Sequence, residues 1–241
     1  MDRAEGRCLD YRQDRARGSS NNWLARDASA RLQPSGATPC QQAAGIHRSA
    51  SRVQKKIALE AHALKQAYPA DEVEVWSQDE ARFGLKPVLR RVWSPIGERP
   101  IATVDERYEW LWLYAATYPR TGRTFWLVLP RLDADCAQLF LNEFAKEHAL
   151  EGKHIVLVWD GAPAHRATGL KVPARISLIS LPAYTPELNP SERVWPLVKE
   201  GVANRAHESL DELEQKVCAR CQKISAAEIS ARTNYHWWPM L

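Results

Sequence analysis

Two acidic residues, Asp160 and Glu192, stand where the sequence pattern would bring their carboxylates together. Asp160 ends an apolar, β-branched run at residues 154–160, which is typical of a strand buried on both faces. Glu192 follows a second run of this kind, at residues 176–182. A carboxylate at the end of a strand and another on a helix that packs beside it can reach one divalent cation, for which carboxylate oxygens are fitting ligands.

The residues around Glu192 predict the start of a helix. Asn189 suits the N-cap, Pro190 the first helical position and Glu192 the third position after the cap. Glu192 could therefore be only the glutamate of a capping box, and Asp160 only a turn aspartate. Pro196 would fall inside the predicted helix, where a proline costs about 3 kcal/mol, so we expect a kink there.

A third acid is offered by a predicted strand at residues 72–80, in which Val73 and Val75 alternate with polar residues. Asp79 lies near the end of this run. Its neighbour Glu80 competes for the same role, because successive side chains in a strand point to opposite faces and only one of the two can face the site.

Three blocks of sequence closely resemble the catalytic blocks of bacterial insertion-sequence transposases of the Tc1/mariner superfamily, which belongs to the DDE class. They are Val-Trp-Ser-Gln-Asp-Glu-Ala-Arg-Phe-Gly (75–84), Trp-Asp-Gly-Ala-Pro-Ala-His (159–165) and Pro-Glu-Leu-Asn-Pro-Ser-Glu-Arg-Val-Trp (186–195). The resemblance covers about residues 55–241. The step of 32 positions from Asp160 to Glu192 suits the separation of the second and third acids in that family.

The resemblance implies a ribonuclease H-like α/β fold, in which helices flank a mixed sheet, and a catalytic triad of Asp79, Asp160 and Glu192. It also selects Asp79 over Glu80. Two Mg²⁺ or Mn²⁺ ions would be held by the triad, with Asp79 bridging both and the other two acids each favouring one. Because three converging carboxylates repel each other, we expect the site to be poorly formed or partly protonated without metal.

The activity that the resemblance implies is that of a DNA transposase, which hydrolyses DNA at transposon ends and uses the freed 3′-hydroxyl to attack target DNA. Its partners would be inverted-repeat ends, a TA-type target site and a second transposase subunit, in a homodimeric DNA complex. Two alternatives stay open: an inactive or repurposed remnant that binds DNA without catalysis, and a nuclease of the same fold that only hydrolyses. Two features favour the remnant: the anomalous N-terminal region and the position of Pro196, which could displace Glu192.

Three polar residues close to the acids in sequence are candidates for contacting DNA. Arg82 and Arg193 could pair with phosphates or only with neighbouring carboxylates. His165 could contact a phosphate or orient a water molecule, or be a hydrogen-bonded structural residue.

The N-terminal 50 residues show neither helical nor strand periodicity and are rich in Arg, Ala, Ser, Gln, Gly and Pro, which predicts an irregular, poorly structured basic arm. The family resemblance leads us to expect helix-turn-helix modules there instead. We hypothesise that this arm is truncated or is not native family sequence. Translating the upstream DNA in all frames would test the hypothesis, and finding no helix-turn-helix coding there would contradict it.

After the arm, residues 51–70 predict a linker helix with Val53, Ile57 and Ala61 on its core-facing stripe, and residues 71–241 the catalytic domain. A strand and turn are expected at residues 91–97, a hairpin at 109–118 and 123–130, a helix at 135–148 and a last helix from Ser209. Five tryptophans in the predicted strands are expected in the core: Trp76, Trp93, Trp112, Trp126 and Trp159.

The charge is unevenly distributed along the chain. Residues 1–70 hold 12 Lys and Arg against 6 Asp and Glu, whereas the remaining residues hold 21 against 23. The basic N-terminal part could attract DNA phosphates or be a solvated tail.

Composition argues against membrane and disulfide-scaffold classes. No run approaches the roughly 18 apolar residues of a membrane helix, and the start of the chain does not resemble a signal peptide. We therefore expect a bacterial cytoplasmic protein associated with the nucleoid. The five scattered cysteines are expected to be reduced, and the C-x-x-C of Cys218 and Cys221 to pack within a helix, since no second pair follows to complete a zinc site.

Overall fold

A six-stranded mixed sheet, in the order β1-β4-β3-β2-β5-β6, forms the centre of the computed structural model. The structure describes residues 8–10, 39–97, 101, 105–162, 169–182 and 185–239, and their side chains from residue 51 onward. β2 pairs with β3 and β3 with β4 in antiparallel fashion, whereas β5 is parallel to β2 and β6, and β1 is parallel to β4. The strands are β1 (Cys8–Asp10), β2 (Glu72–Gly84), β3 (Trp110–Tyr118), β4 (Arg123–Leu129), β5 (Lys153–Trp159) and β6 (Ile176–Ser180).

Helices cover both faces of this sheet, which confirms the predicted mixed sheet with flanking helices. Two 3₁₀ turns, Pro186–Leu188 and Pro190–Arg193, connect the last strand to the C-terminal helices. The helices are α1 (Pro39–Ala67), α2 (Ala134–His148), α3 (Trp195–Glu200), α4 (Leu210–Lys223) and α5 (Ala226–Thr233). Among the described residues, no helix has the length and apolar character needed to span a bilayer.

Helix α2 packs on one face of the sheet through an aromatic cluster. Asp133 caps the helix by accepting a hydrogen bond from the backbone N–H of Cys136 at 2.9 Å. Phe140 and Phe144, one turn apart, are buried against Trp76 and Phe125 of the sheet. The predicted helix at residues 135–148 is thus confirmed.

The opposite face is shared by α1 and the C-terminal helices. Val53, Ile57 and Ala61 of α1 are buried in one cluster with Val156 and Val158 of β5, as their helical spacing predicted. Helices α3, α4 and α5 cover the other half of this face, over β2, β3 and β4. Since odd-numbered residues of β2 supply this face, Asp79 points toward it, between the two helical groups.

Four predictions need correction. Helix α1 begins at Pro39, and residues 8–10 form a strand, so the arm is not irregular at those positions; its other residues lie outside the described part of the chain. Helix α5 follows α4, which is therefore not the last helix. Residues 91–97 form no strand, because they lie in the connection between β2 and β3 and not in a pairing position, and Trp93 there is fully exposed instead of buried.

The cysteines follow the prediction in part. Cys136 and Cys221 are free and buried, and Cys221 lies on the core-facing side of α4. Cys218 is disulfide-bonded, so the expectation of reduced thiols is wrong at that position.

Candidate active site

Asp79 is a buried acid inside β2, with 6% of its surface exposed. The strand continues to Gly84, so Asp79 lies within it and not near its end as predicted. The indole Nε1 of Trp195 donates a hydrogen bond to Asp79 Oδ2 at 2.5 Å. Glu80 points to the opposite face, where its Oε1 accepts a hydrogen bond from Gln78 Nε2 at 2.7 Å.

Asp160 follows β5 directly, as the sequence predicted, and is half-buried. Its Oδ1 accepts a hydrogen bond from the backbone N–H of Ala162 at 2.9 Å, which is the contact of an aspartate-stabilised turn. The turn role that was an alternative reading of Asp160 is therefore real. The Ala162 N–H occupies one carboxylate oxygen of Asp160 and fixes this side chain at the carboxyl end of a parallel strand.

Glu192 lies on the 3₁₀ turn Pro190–Arg193. Asn189 caps this turn as predicted, and its Oδ1 accepts a hydrogen bond from the Ser191 backbone N–H at 3.2 Å. The continuous helix predicted from Pro190 is wrong, because the chain makes a 3₁₀ turn first and starts α3 at Trp195. Pro196 consequently falls in the first turn of α3, where its missing N–H removes no helical hydrogen bond, and the expected kink does not arise.

Buried hydrogen bonds join the turn of Glu192 to the strand of Asp79. The hydroxyl of Ser191 donates to the backbone carbonyl of Ser77 at 2.9 Å, and the two serine hydroxyls are 2.8 Å apart. Asn189 Nδ2 donates to the carbonyl of Gln78 at 2.9 Å. We call these contacts of Ser77, Gln78, Asn189 and Ser191 the polar clamp. Because the clamp precedes Asp79 by one residue and Glu192 by one residue, it sets the distance between the two acids.

Asp79 and Glu192 shift each other's pKa. Burial raises the pKa of Asp79 well above its usual range, the charge of Glu192 raises it further, and the Trp195 hydrogen bond opposes the shift. Partial desolvation also raises the pKa of Glu192; Lys199 lowers it, Asp160 raises it, and a side-chain hydrogen bond from Asp79 lowers it. The charge of Glu192 thus disfavours ionisation of Asp79, and the charge of Asp160 disfavours ionisation of Glu192.

This donor set suits a hard divalent cation, because it consists of carboxylate oxygens that repel one another. The three acids are not yet gathered as ligands of one ion, however: in the part of the chain that the structure describes, no group of three His, Cys, Asp or Glu side chains is close enough to hold a metal. The acids act on one another through charge, Glu192 on Asp79 and Asp160 on Glu192.

The three predicted DNA-contacting residues have different surroundings. Arg82 is exposed, and its guanidinium lies over the Trp110 ring, 5.3 Å from the centroid. Arg193 is exposed, and its Nε donates to the Tyr235 hydroxyl at 3.2 Å. His165 lies outside the described residues.

Sequence reasoning missed two residues at this site, Trp195 and Lys199. The hydrogen-bond partner of Trp195 is 116 positions away, so no local pattern reveals it. Lys199 follows Glu192 by two turns of mixed 3₁₀ and α geometry, and the change in helix type hid its proximity. Both residues lie in α3, which the sequence analysis treated as a continuation of the helix of Glu192.

Comparison with known proteins places these residues in a family. A family model described as DDE superfamily endonuclease matches residues 74–214, a range that contains all three acids. The uncharacterized protein y4pE/y4sA of Sinorhizobium fredii is 36% identical over 116 residues, which cover 48% of this chain and 85% of that protein.

Solved structures of the Mos1 transposase share the fold at low sequence identity. The paired-end complex with the left transposon end matches with a TM-score of 0.51 and 14% identity, covering 89% of this chain and 63% of that one. The mariner paired-end complex with Mn matches with a TM-score of 0.52 and 13% identity, covering 90% and 62%. This chain therefore spans less than two thirds of the Mos1 chain. The protein belongs to the DDE superfamily endonuclease family and has the ribonuclease H-like fold of the Mos1 transposase.

Proposed function

We propose that the protein is a DNA transposase that cleaves transposon ends and joins them to target DNA with the help of divalent cations. The observation that carries this proposal is the polar clamp, which holds the turn of Glu192 against the strand of Asp79, together with the charge of Asp160 acting on Glu192. These acids come from β2, the end of β5 and the 3₁₀ turn before α3. A family of endonucleases and a transposase fold agree with an arrangement of this kind.

Asp79, Asp160 and Glu192 would hold the cations, two Mg²⁺ or Mn²⁺ ions in the full site. When bound, the cations supply positive charge that activates the attacking oxygen and stabilises the leaving oxygen. The mariner relative was solved with Mn, which supports the same class of ion here. Because the pKa values of Asp79 and Glu192 are raised in the metal-free protein, ion binding would release protons from these acids.

The chain's own residues would hold the carboxylates and guide the DNA. Trp195 holds Asp79, and the polar clamp holds the turn of Glu192 against β2. Arg82 and Arg193 are exposed cations, and half-buried Lys199 acts on Glu192. The Arg82, Arg193 and Lys199 side chains would contact DNA phosphates. Contacts of this kind fix the position of the DNA without reading its sequence.

The proposed reaction has two steps. In the first, water adds to the phosphorus at the transposon end and the bond to the 3′-oxygen breaks, which leaves a 3′-hydroxyl and a 5′-phosphate. In the second, that 3′-hydroxyl attacks a target phosphorus, and the target strand's 3′-oxygen leaves. The same acids would serve both steps, since each is an in-line displacement at phosphorus.

The partners in this proposal are inverted-repeat DNA ends, a TA-type target site and a second copy of the chain. The matched Mos1 structures are a paired-end complex and a strand transfer complex, which supports a DNA complex of this type. One of the two arguments for an inactive remnant no longer holds, because Pro196 sits in the first turn of α3 and does not distort the segment of Glu192.

A single assay with Mg²⁺ and DNA that carries the element's ends separates transposase, nuclease and remnant. A transposase cleaves the ends and transfers them to target DNA; a nuclease only cleaves; a remnant does neither. We expect both activities in the unaltered protein. Loss of both, in protein that still binds the ends, would contradict the proposal.

Two substitutions make this assay specific for the acids. Asp160→Asn should abolish cleavage and transfer while DNA binding stays largely intact. Glu80→Gln is the matched control, because Glu80 neighbours Asp79 but points to the opposite face of the sheet, and it should keep most of the activity. An Asp160→Asn protein that still cuts would refute the role given to Asp160.

A further inference from the structure

The contact between Trp195 and Asp79 joins a rigid donor to a buried carboxylate. The Nε1 to Oδ2 distance is 2.5 Å, and only 4% of Trp195 and 6% of Asp79 are exposed. When a cation displaces the proton from Asp79, this hydrogen bond gains an ionised acceptor, and such bonds are shorter and stronger than those between neutral groups. In a buried setting, water does not compete with the indole for the carboxylate.

Packing, and not the hydrogen bond, sets the position of the indole. Trp195 is the first residue of α3 and lies in the core cluster with Val194, Leu197 and Val198. Its ring meets that of Trp126 edge to face, with centroids 6.4 Å apart and an interplanar angle of 63°. The donor is thus fixed before the carboxylate binds it, so it can dictate the rotation of the Asp79 side chain.

The same residue also links two acids of the site. Trp195 follows Glu192 by three positions, directly after the 3₁₀ turn that carries Glu192. A shift of this segment would therefore move Glu192 and the donor to Asp79 together. The polar clamp joins the segment to β2 a second time, through Ser191 and Asn189.

We propose that Trp195 is a positioning residue for metal binding: its indole N–H holds the Asp79 carboxylate in the orientation from which it ligates a divalent cation together with the other acids. This inference rests on the proposed function, in which Asp79 is a ligand. The indole itself touches neither metal nor DNA in this role. Its effect reaches the ion only through Asp79, as outer hydrogen-bond partners of metal ligands do in general.

The test is Mn²⁺ binding to the full chain without DNA, measured by calorimetry and by the electron spin resonance signal of free Mn²⁺. Trp195→Phe keeps a buried ring and removes the donor, and we expect about 10- to 100-fold weaker binding. Trp76→Phe is the matched control, because it removes another buried indole that donates to a carboxylate, that of Glu74, on the opposite face of the sheet. It should bind Mn²⁺ as the unaltered chain does.

A second variant keeps the inference testable if Trp195→Phe does not fold, as judged by circular dichroism. Benzothienylalanine at position 195 retains the bicyclic shape and replaces the N–H by sulfur, and it should weaken Mn²⁺ binding similarly. Unchanged Mn²⁺ affinity in a folded variant that lacks the N–H would overturn the inference.

The outcome is independent of transposition. If the unaltered chain binds Mn²⁺ but neither cleaves nor transfers DNA, the proposed function fails, and the difference between Trp195→Phe and Trp76→Phe still decides the role of the indole.

Discussion

The Ser191 hydroxyl donates a hydrogen bond to the backbone carbonyl of Ser77 at 2.9 Å, although the residues are 114 positions apart. Both residues are fully buried, and their hydroxyl oxygens are 2.8 Å apart. Each serine lies close in sequence to a site acid. Ser77 is two positions before Asp79, and Ser191 is immediately before Glu192. The contact therefore affects both the position of the site acids and the stability of the fold.

Ser191→Ala should lower the free energy of unfolding by about 1–3 kcal/mol, because it leaves the buried Ser77 hydroxyl and carbonyl without this partner. Urea unfolding measures the change. The exposed Ser180 is the matched control, and Ser180→Ala should change stability by less than about 0.5 kcal/mol.

The double variant Ser77→Ala/Ser191→Ala tests whether the two hydroxyls act as a pair. Each single variant leaves the partner's hydroxyl unpaired, whereas the double variant removes both hydroxyls. The double variant should therefore lose less stability than the sum of the two single losses. Strictly additive losses would show that the two hydroxyls do not interact.

Raising the pH should destabilise the metal-free protein above the ordinary carboxyl pKa of about 4. The pKa values of Asp79 and Glu192 are raised in the folded state, chiefly by burial, so the folded chain holds protons that the unfolded chain has released. Their contribution to the free energy of unfolding therefore falls as the pH rises from the unfolded toward the folded pKa values. Chemical unfolding over this pH range measures the slope.

Three comparisons isolate the source of that slope. Asp79→Asn should flatten it, and added Mg²⁺ should reverse it by favouring the ionised acids. Glu74→Gln should not flatten it: although burial alone would raise the pKa of Glu74, hydrogen bonds from Arg123, Lys153 and Trp76 lower it overall, which gives Glu74 the opposite dependence. A slope that Asp79→Asn leaves unchanged would mean that other groups cause it.

Neighbouring charges should shift the pKa of Glu192 in opposite directions. Partial desolvation raises the pKa of Glu192, Lys199 lowers it and Asp160 raises it. Asp160→Asn should accordingly lower this pKa, and Lys199→Met should raise it, as followed by the ¹³C chemical shift of the Glu192 carboxyl in a pH titration. If Asp160→Asn leaves the titration unmoved, Asp160 is too far from the pair to share an ion with it.

Gly122→Ala should destabilise the fold more than Gly152→Ala, although both glycines have positive φ angles, +76° and +78°. A Cβ at residue 122 would lie 1.8 Å from the carbonyl oxygen of Ala226 at the start of α5, whereas at residue 152 it meets nothing within 4 Å. Gly152→Ala should cost only the backbone strain of about 1–2 kcal/mol. Equal losses in thermal unfolding would show that α5 does not pack against the β3–β4 turn.

Sequence patterns were informative wherever a local rule decides the structure. The apolar runs before Asp160 and before Pro182 predicted β5 and β6, because buried parallel strands carry continuous apolar residues. Turn residues likewise predicted the β3–β4 hairpin. The spacing of Val53, Ile57 and Ala61 predicted the buried stripe of α1.

The rest depends on tertiary contacts that local patterns do not contain. The polar residues from Ser77 to Glu80 suggest a strand end, yet β2 runs through them because Asn189, Ser191 and Trp195 satisfy them from across the fold. Pro196 seemed to break a helix because the pattern does not distinguish a 3₁₀ turn followed by a new helix from one long helix. The exposure of Trp93 shows the same limit, since an apolar run does not reveal whether a strand lies beside it.

The most direct test of the central claim is the anomalous diffraction of crystals soaked in Mn²⁺. The account predicts manganese peaks within ligand distance of the Asp79, Asp160 and Glu192 carboxylates, with Asp79 shared if two ions bind. Full manganese occupancy elsewhere on the protein, with none at these three acids, would contradict it.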